Sequence, residues 1–257
     1  MTRAARIAAL AADPAFAPLE RSFAVYYGDP AHETRMKNLY ARFVKAGDLV
    51  FDIGAHVGDR IAAFRALGAR VVALEPQPLC FRALEKLYGD DPDVALIEAA
   101  CGAREETIAL RVNSANPTVT TASPAFIAAA EGAQGWEGQT WDTEIETQAT
   151  TLDTLIAAHG APAFVKIDVE GFEAEALAGL SRPLPALSFE FTTIQRDIAC
   201  RCLERLEKLG PYRFDLSLGE THALALGEWV SRREMETRIA ELPHAANSGD
   251  VYCVLRI

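Results

Sequence analysis

Three stretches of this 257-residue chain combine residue types and spacings that can do chemistry. In the first, the apolar run LVFDI (49–53) breaks into Gly54-Ala55-His56-Val57-Gly58 just before a helical stretch. Glycine at both ends of such a turn permits positive φ and lets backbone approach a ligand at a helix N-terminus. A dinucleotide loop would read G-x-G-x-x-G and place a pyrophosphate on the helix start. This loop reads D-x-G-x-x-x-G, with Asp52 inside the strand, where a carboxylate repels a pyrophosphate and suits a cation carrying an ammonium and a sulfonium. The second stretch, VVALEP (71–76), ends in Glu75, whose carboxylate can accept hydrogen bonds from both hydroxyls of a ribose. Loop and acid together favour a nucleoside pocket over an ordinary tight strand–helix turn.

The third stretch is FVKIDVEGFE (164–173). Alternate residues of an extended strand share a face, so Lys166, Asp168 and Glu170 point the same way, and Glu173 opens the next helix. Glu190, near the end of a later strand, can reach the same rim. Ionisable groups on a buried strand face are costly unless they pair or work. The row therefore reads either as a bracing ion pair, Lys166–Asp168 or Lys166–Glu190, or as the border of a reaction site.

The elements that must hold these groups follow from periodicity. Residues 1–46 read as a helical lead-in punctuated by Pro14, Pro18 and Pro30, with one amphipathic helix over His32–Lys45 ended by Gly47. From Asp48 short β-branched runs alternate with helical stretches: strands at 49–53, 71–76 and 94–100, helices at 59–67 and 78–88. That alternation is the pattern of a parallel sheet covered by helices on both faces. Residues 104–148 interrupt it with a strand at 107–113, a polar loop, an Ala-rich helix and a Gly/Trp-rich stretch, an insertion expected to shape a ligand pocket. Asn113, Asn116, Thr118, Thr120 and Thr121 are polar groups able to read a hydroxylated ligand, with Trp136 and Trp141 as stacking faces, although a plain surface loop has the same composition. The rhythm returns with strands near 145–150, 163–169, 186–191, 212–218 and 251–257 and helices after Thr150, near Phe172 and over 195–209. No repeat or linker divides the chain, so one domain over 1–257 is expected.

The chain resembles the FkbM-type, S-adenosylmethionine-dependent methyltransferases. The resemblance rests on VFDIGAHVGDR (50–60), VVALEPQP (71–78), AACG (99–102), TTLDTL (150–155), FVKIDVEGFE (164–173) and LSFEF (187–191), in the family's order, and spans roughly 48–215. It implies a Rossmann-like class I methyltransferase fold: α/β, with a mostly parallel seven-stranded sheet, helices on both faces and the last strand inserted antiparallel. It also implies that Asp52, Gly54 and Gly58, with Ala55 and His56 in the same loop, frame the methionine end of the donor. Glu75 would hold the ribose, Gln77 would lie beside the adenosine, Ala100 and Cys101 would pass near the adenine, and Asp168 would sit beside the transferable methyl. His56 stands where the family usually has Asn.

Methyl transfer is an in-line displacement at a sulfonium carbon, helped by alignment and exclusion of water. An alcohol acceptor must also lose a proton, which calls for a base. Asp168 is the first candidate; Glu170, Glu190, Lys166 and His56 complete the candidate catalytic set. The spacing of Asp168 and Glu190 allows a divalent ion between them without marking a magnesium site, and no metal is assigned. His32, His159, His222 and His244 are expected as solvated or capping side chains.

The formal charge of -11 argues against a nucleic-acid partner held by its phosphates. Cys80, Cys101, Cys200, Cys202 and Cys253 are odd in number and lack metal-site spacing, so they are expected reduced and mostly buried. With no signal-like leader and no apolar run of about 18 residues, a cytoplasmic chain without a membrane span is expected. The expected activity is O-methylation of a hydroxyl on a sugar, polyketide or other small metabolite. A nicotinamide-dependent oxidoreductase on a related fold and a non-catalytic nucleoside-binding protein are the alternatives.

Overall fold

The computed structural model describes residues 1–256. The lead-in folds as α1 (Arg3–Ala12), a 3-10 turn (Pro14–Leu19), α2 (Glu20–Tyr27) and α3 (Pro30–Tyr40). The helix expected over His32–Lys45 thus starts and ends earlier, beginning with Asp29 capping Ala31 and Pro30 in its first turn. The alternating section gives β1 (Leu49–Ile53), α4 (Asp59–Ala66), β2 (Arg70–Leu74), α5 (Pro78–Tyr88) and β3 (Val94–Ile97). Then come β4 (Ala100–Cys101), β5 (Glu106–Val112), α6 (Pro124–Ala130), β6 (Thr143–Thr150) and α7 (Leu152–His159). The last third holds β7 (Phe164–Ile167), α8 (Glu173–Ala178), β8 (Ala186–Thr192), α9 (Arg196–Leu209), β9 (Tyr212–Leu218), α10 (Arg232–Glu241) and β10 (Ser248–Leu255). The strand expected over 251–257 begins earlier, and Ile257 lies outside the described residues. No helix among the described residues is long and apolar enough to cross a membrane.

The main sheet has the order β3-β2-β1-β7-β8-β10-β9. Its first five strands run parallel, and β10 inserts antiparallel to both β8 and β9. Strand alternation divides the core into two layers. Phe51, Ile53, Val72, Leu74, Val165 and Ile167 face a layer built with α7 to α10. Val50, Val71, Ala73 and Phe164 face the layer of α1 to α5. Each fully buried Val, Ile or Phe here contributes roughly 1.5–3 kcal/mol through removal from water, which is why β1 reads as an unbroken apolar run apart from Asp52.

The insertion departs from the expected lone strand. It builds a second sheet, β4-β6-β5, in which β5 and β6 are antiparallel and β4 joins β6 in parallel. The run expected as one strand over 94–100 is thus split, with Ala100–Cys101 pairing to the second sheet. Val119, Phe126, Ala130 and Trp136 form a small core of their own within the insertion. Four of the five cysteines are buried, Cys200 is partly so, and all are free thiols.

Candidate functional site

The carboxyl ends of β1, β2, β7 and β8 open into one cavity of about 240 Å³, the place where open α/β sheets hold ligands. Its first wall is the loop after β1. Gly54 has φ 86°, and a Cβ there would lie 1.8 Å from the Asp168 carbonyl oxygen, so only glycine lets the ends of β1 and β7 meet. Gly58 has φ 83° and caps α4, with Tyr88 and Leu84 filling the space a Cβ would need. Between them His56 is also left-handed, φ 47°, a conformation that Asn, Asp and His tolerate better than most residues. The loop is held from behind, since Tyr27 donates to the Val57 carbonyl at 2.8 Å and Tyr88 to that of Gly58 at 2.6 Å.

Glu75 follows the end of β2 and lines the cavity. One carboxylate oxygen accepts from the His56 N–H and the other from the Gln77 N–H, both at 2.8 Å. Each oxygen keeps a lone pair, so the carboxylate remains able to accept from a diol. Burial pushes Glu75 up to about 7 even though these two N–H groups favour its charged form. Gly54, Ala55, His56, Ala99, Ala100 and Cys101 complete this half of the wall.

Three expected contacts differ. Gln77 does not line the cavity; its Oε1 accepts from the Leu79 and Cys80 N–H groups at 2.6 and 2.9 Å, capping α5, whose first-turn donors have no partner within the helix. Gly58 shapes the loop from outside the lining. Asp52 is 1% exposed and faces inward with Val50, toward α3 and α4. Neither Asp52 oxygen has a hydrogen-bond partner among the described residues.

Burial pushes Asp52 up to about 7; Arg60 and Lys166 oppose the shift, whereas Asp59 and Asp168 add to it. A carboxyl whose folded value lies above its unfolded value contributes stability at low pH that is lost as pH rises through the folded value. Asp52→Asn is therefore expected to gain on the wild type by about 2–3 kcal/mol between about pH 5 and about pH 8. Paired thermal unfolding curves across that range check it, and a constant difference would contradict it.

The opposite wall is acidic. Asp168, Glu170 and Glu190 line it, with one carboxylate oxygen of each within 4.8 Å of the others. The grouping was expected, but strand alternation is only part of its cause. β7 ends at Ile167, and Glu170 sits in a left-handed turn with φ 53°. Glu173 shapes that turn, its Oε1 accepting from the N–H groups of Val169 and Gly171 at 3.0 and 3.2 Å. Thr121 of the insertion donates to the Glu170 carbonyl at 2.6 Å. Burial, then the charge of Asp168, pushes both Glu170 and Glu190 well above the ordinary glutamate range, favouring the protonated acids.

Lys166 is 0% exposed and does not line the cavity. Its Nζ lies 3.0 Å from Asp168 Oδ2 and 2.7 Å from Asp250 Oδ1. The Lys166–Glu190 alternative is thus replaced by a lysine shared between Asp168 and Asp250. Asp250 was not legible in the sequence, because only the insertion of β10 beside β8 brings it there.

His56 lines the cavity with both ring nitrogens engaged, Nε2 at 2.8 Å from Ser22 Oγ and Nδ1 at 3.4 Å from Cys80 Sγ. Burial pushes it down to about 4, so the ring is neutral at ordinary pH. Of the polar and aromatic residues noted in the insertion, Thr118, Thr120 and Trp136 line the cavity. Asn113 and Asn116 instead donate to Gln139 Oε1, and Trp141 donates to the Val119 carbonyl and packs edge-on against Phe126. His159 and His244 are exposed as expected, whereas His32 and His222 are buried at 3% and 6%. Arg60, from the first turn of α4, also lines the cavity, with Asp59 Oδ2 at 2.7 Å, Glu220 Oε1 at 3.5 Å and Asp168 Oδ2 at 3.9 Å. Although burial alone would raise Glu220, Arg60, His222 and His32 hold it well below the ordinary glutamate range.

One half of the cavity therefore offers a diol acceptor and small apolar residues beside a glycine loop. The other offers a carboxylate beside a lysine and two glutamates shifted toward their protonated forms. An excess of carboxylates around a single lining arginine suits a cationic sulfonium on the donor.

The family model described as Methyltransferase FkbM domain matches residues 52–209, from the end of β1 through α9. No curated protein matches the chain. Among solved structures, a TehB-like SAM-dependent methyltransferase from Corynebacterium glutamicum is 12% identical, with 94% of this chain and 96% of that one covered and a TM-score of 0.47. A precorrin-6y C5,15-methyltransferase from Geobacter metallireducens is 14% identical, covering 88% and 86% with a TM-score of 0.42. A fibrillarin from Aeropyrum pernix, solved with S-adenosyl-L-methionine bound, is 11% identical, covering 82% and 68% with a TM-score of 0.41.

Proposed function

Because the chain belongs to the FkbM family of S-adenosylmethionine-dependent methyltransferases, we propose that it methylates a hydroxyl group of a small molecule held against Asp168, Glu170 and Glu190. The observation that carries this reading is the division of one cavity into a ribose-accepting half around Glu75 and an acidic half around Asp168. S-adenosylmethionine supplies, when bound, a methyl group on a positively charged sulfur. The residues present fit it. Glu75 offers two carboxylate oxygens to the ribose diol, and Ala99, Ala100 and Cys101 offer a small apolar face to the adenine. The loop presents Gly54, which has no side chain, and the small Ala55 to the methionine end.

On the acceptor side Asp168 takes the hydroxyl proton as the oxygen attacks. Lys166, fixed between Asp168 and Asp250, orients that carboxylate. Glu170 and Glu190, shifted toward their protonated forms by burial and the charge of Asp168, hold the acceptor in line through hydrogen bonds. Trp136, Thr118 and Thr120 of the insertion cover the cavity and exclude water. His56, neutral and bonded to Ser22, stiffens the loop. The acidic surface of the protein, at a formal charge of -11, supports a small acceptor over a nucleic acid.

Incubating the protein with cell extract and methyl-labelled donor tests the acceptor class. The expected label is a methyl ether in the small-molecule fraction. Label recovered in nucleic acid, or on nitrogen, would contradict the reading.

A further inference from the structure

A second cluster lies at the rim of the cavity, outside the transfer chemistry. His32, from α3, and His222, at the end of the short turn Gly219–Thr221, bring their rings to 4.7 Å centroid separation, edge to face. Glu220 lies between them. Its Oε2 is 3.1 Å from His222 Nε2 and 3.9 Å from His32 Nε2, while its Oε1 faces Arg60. Asp59 Oδ2 stands 3.4 Å from the same His32 Nε2.

Two features point to a ligand. The first is that His222 Nε2 is buried without a hydrogen-bond partner among the described residues, although it is aimed at a carboxylate. That nitrogen lies 3.1 Å from Glu220 Oε2 without hydrogen-bond alignment, so an ion between the two atoms would satisfy both, and His222 also holds the left-handed conformation, φ 51°. The second is the donor set: one atom each from His32, Glu220 and His222 falls within 4.8 Å of the others. Around a tetrahedral zinc ion with ligands at about 2.0–2.1 Å, neighbouring ligand atoms lie roughly 3.3–3.4 Å apart. The observed 3.1 and 3.9 Å bracket that spacing.

We propose that His32 Nε2, His222 Nε2 and Glu220 Oε2 bind a divalent transition ion of the zinc type, fastening the turn 219–222 to α3 at the rim of the cavity. Two imidazoles and one carboxylate match zinc and its neighbours, whereas magnesium and calcium take oxygen ligands. Asp59 Oδ2 contacts that same His32 nitrogen at 3.4 Å and would give up this contact when the ion binds. Glu220 is the partly exposed member of the set and lines the cavity, so it gives the ion a path in and leaves a coordination position toward solvent. The ion would thereby set the position of one cavity wall, a role independent of which molecule accepts the methyl group.

The test is calorimetric titration of the chelator-treated full chain with zinc chloride, alongside Glu220→Gln and His222→Asn. Glutamine keeps the shape of a partly exposed side chain, and asparagine tolerates the left-handed backbone. Circular dichroism verifies that both variants are folded. The wild type is expected to take up one equivalent, each variant to bind at least tenfold more weakly, and zinc to raise the thermal midpoint of the wild type alone. The cobalt-substituted protein should show visible bands without thiolate charge transfer, since the set contains no cysteine. Absence of one-equivalent uptake by the wild type, equal affinity in both variants, or a thiolate spectrum would overturn the proposal.

Discussion

Asp168→Asn is expected to slow methyl transfer about 10²–10⁴-fold while donor affinity stays within a few-fold of the wild type. Asparagine has the same shape but cannot take the proton that a hydroxyl must lose as it attacks. Asp168 suits that task because its carboxylate is fixed by Lys166 at 3.0 Å on one side and remains partly open to the cavity on the other. Its neighbours do not substitute for it. Burial and the charge of Asp168 push Glu170 and Glu190 well above the ordinary range, which disfavours them as proton acceptors. Lys166 keeps Asp250 at 2.7 Å in the variant, so the buried lysine is not left without a carboxylate and the fold survives. Single-turnover rates with saturating donor, set beside donor titrations, check the expectation. Unchanged turnover would remove Asp168 from the reaction, and a parallel loss of donor affinity would place it on the donor.

The elements legible in the sequence are those whose ends are set locally. β1 falls where expected because a buried strand reads as an apolar run with clear ends, β9 because YRFDLSL alternates apolar and polar residues, and α5 because Pro78 opens it and Gly89 follows its last turn. The loop, Glu75 and the acidic turn were legible because each lies in one contiguous motif. Asp250, Arg60, Glu220 and the two buried histidines were not, since only the folded sheet brings them together. β10 pairs Asp250 with Glu190 across sixty positions of chain, and the turn before α10 returns Glu220 to α3 and α4. No spacing encodes those meetings. Gln77 shows the opposite case: a polar residue immediately before a proline-led helix carries a capping signal that competes with any contact to a ligand. The second sheet stayed hidden because β4 is two residues long and continuous with the run that begins as β3.

Glu75→Ala is expected to weaken binding of the donor roughly 10²-fold, because it removes two charge-assisted hydrogen bonds of about 1.5 kcal/mol each. Part of any loss could come from the loop, since Glu75 also accepts the His56 and Gln77 N–H groups. Glu75→Gln separates the two effects: it keeps one acceptor oxygen and the side-chain volume, and it should fall between the wild type and alanine. Because the amide can accept from only one of the His56 and Gln77 N–H groups, thermal midpoints of both variants measure how much of the affinity loss comes from the loop. Calorimetric titration of the full chain and both variants with S-adenosylhomocysteine, the demethylated donor, asks most directly whether Glu75 carries the ribose. Saturable one-to-one binding that weakens in the order wild type, glutamine, alanine is the expected result. Equal affinity in all three proteins would contradict it.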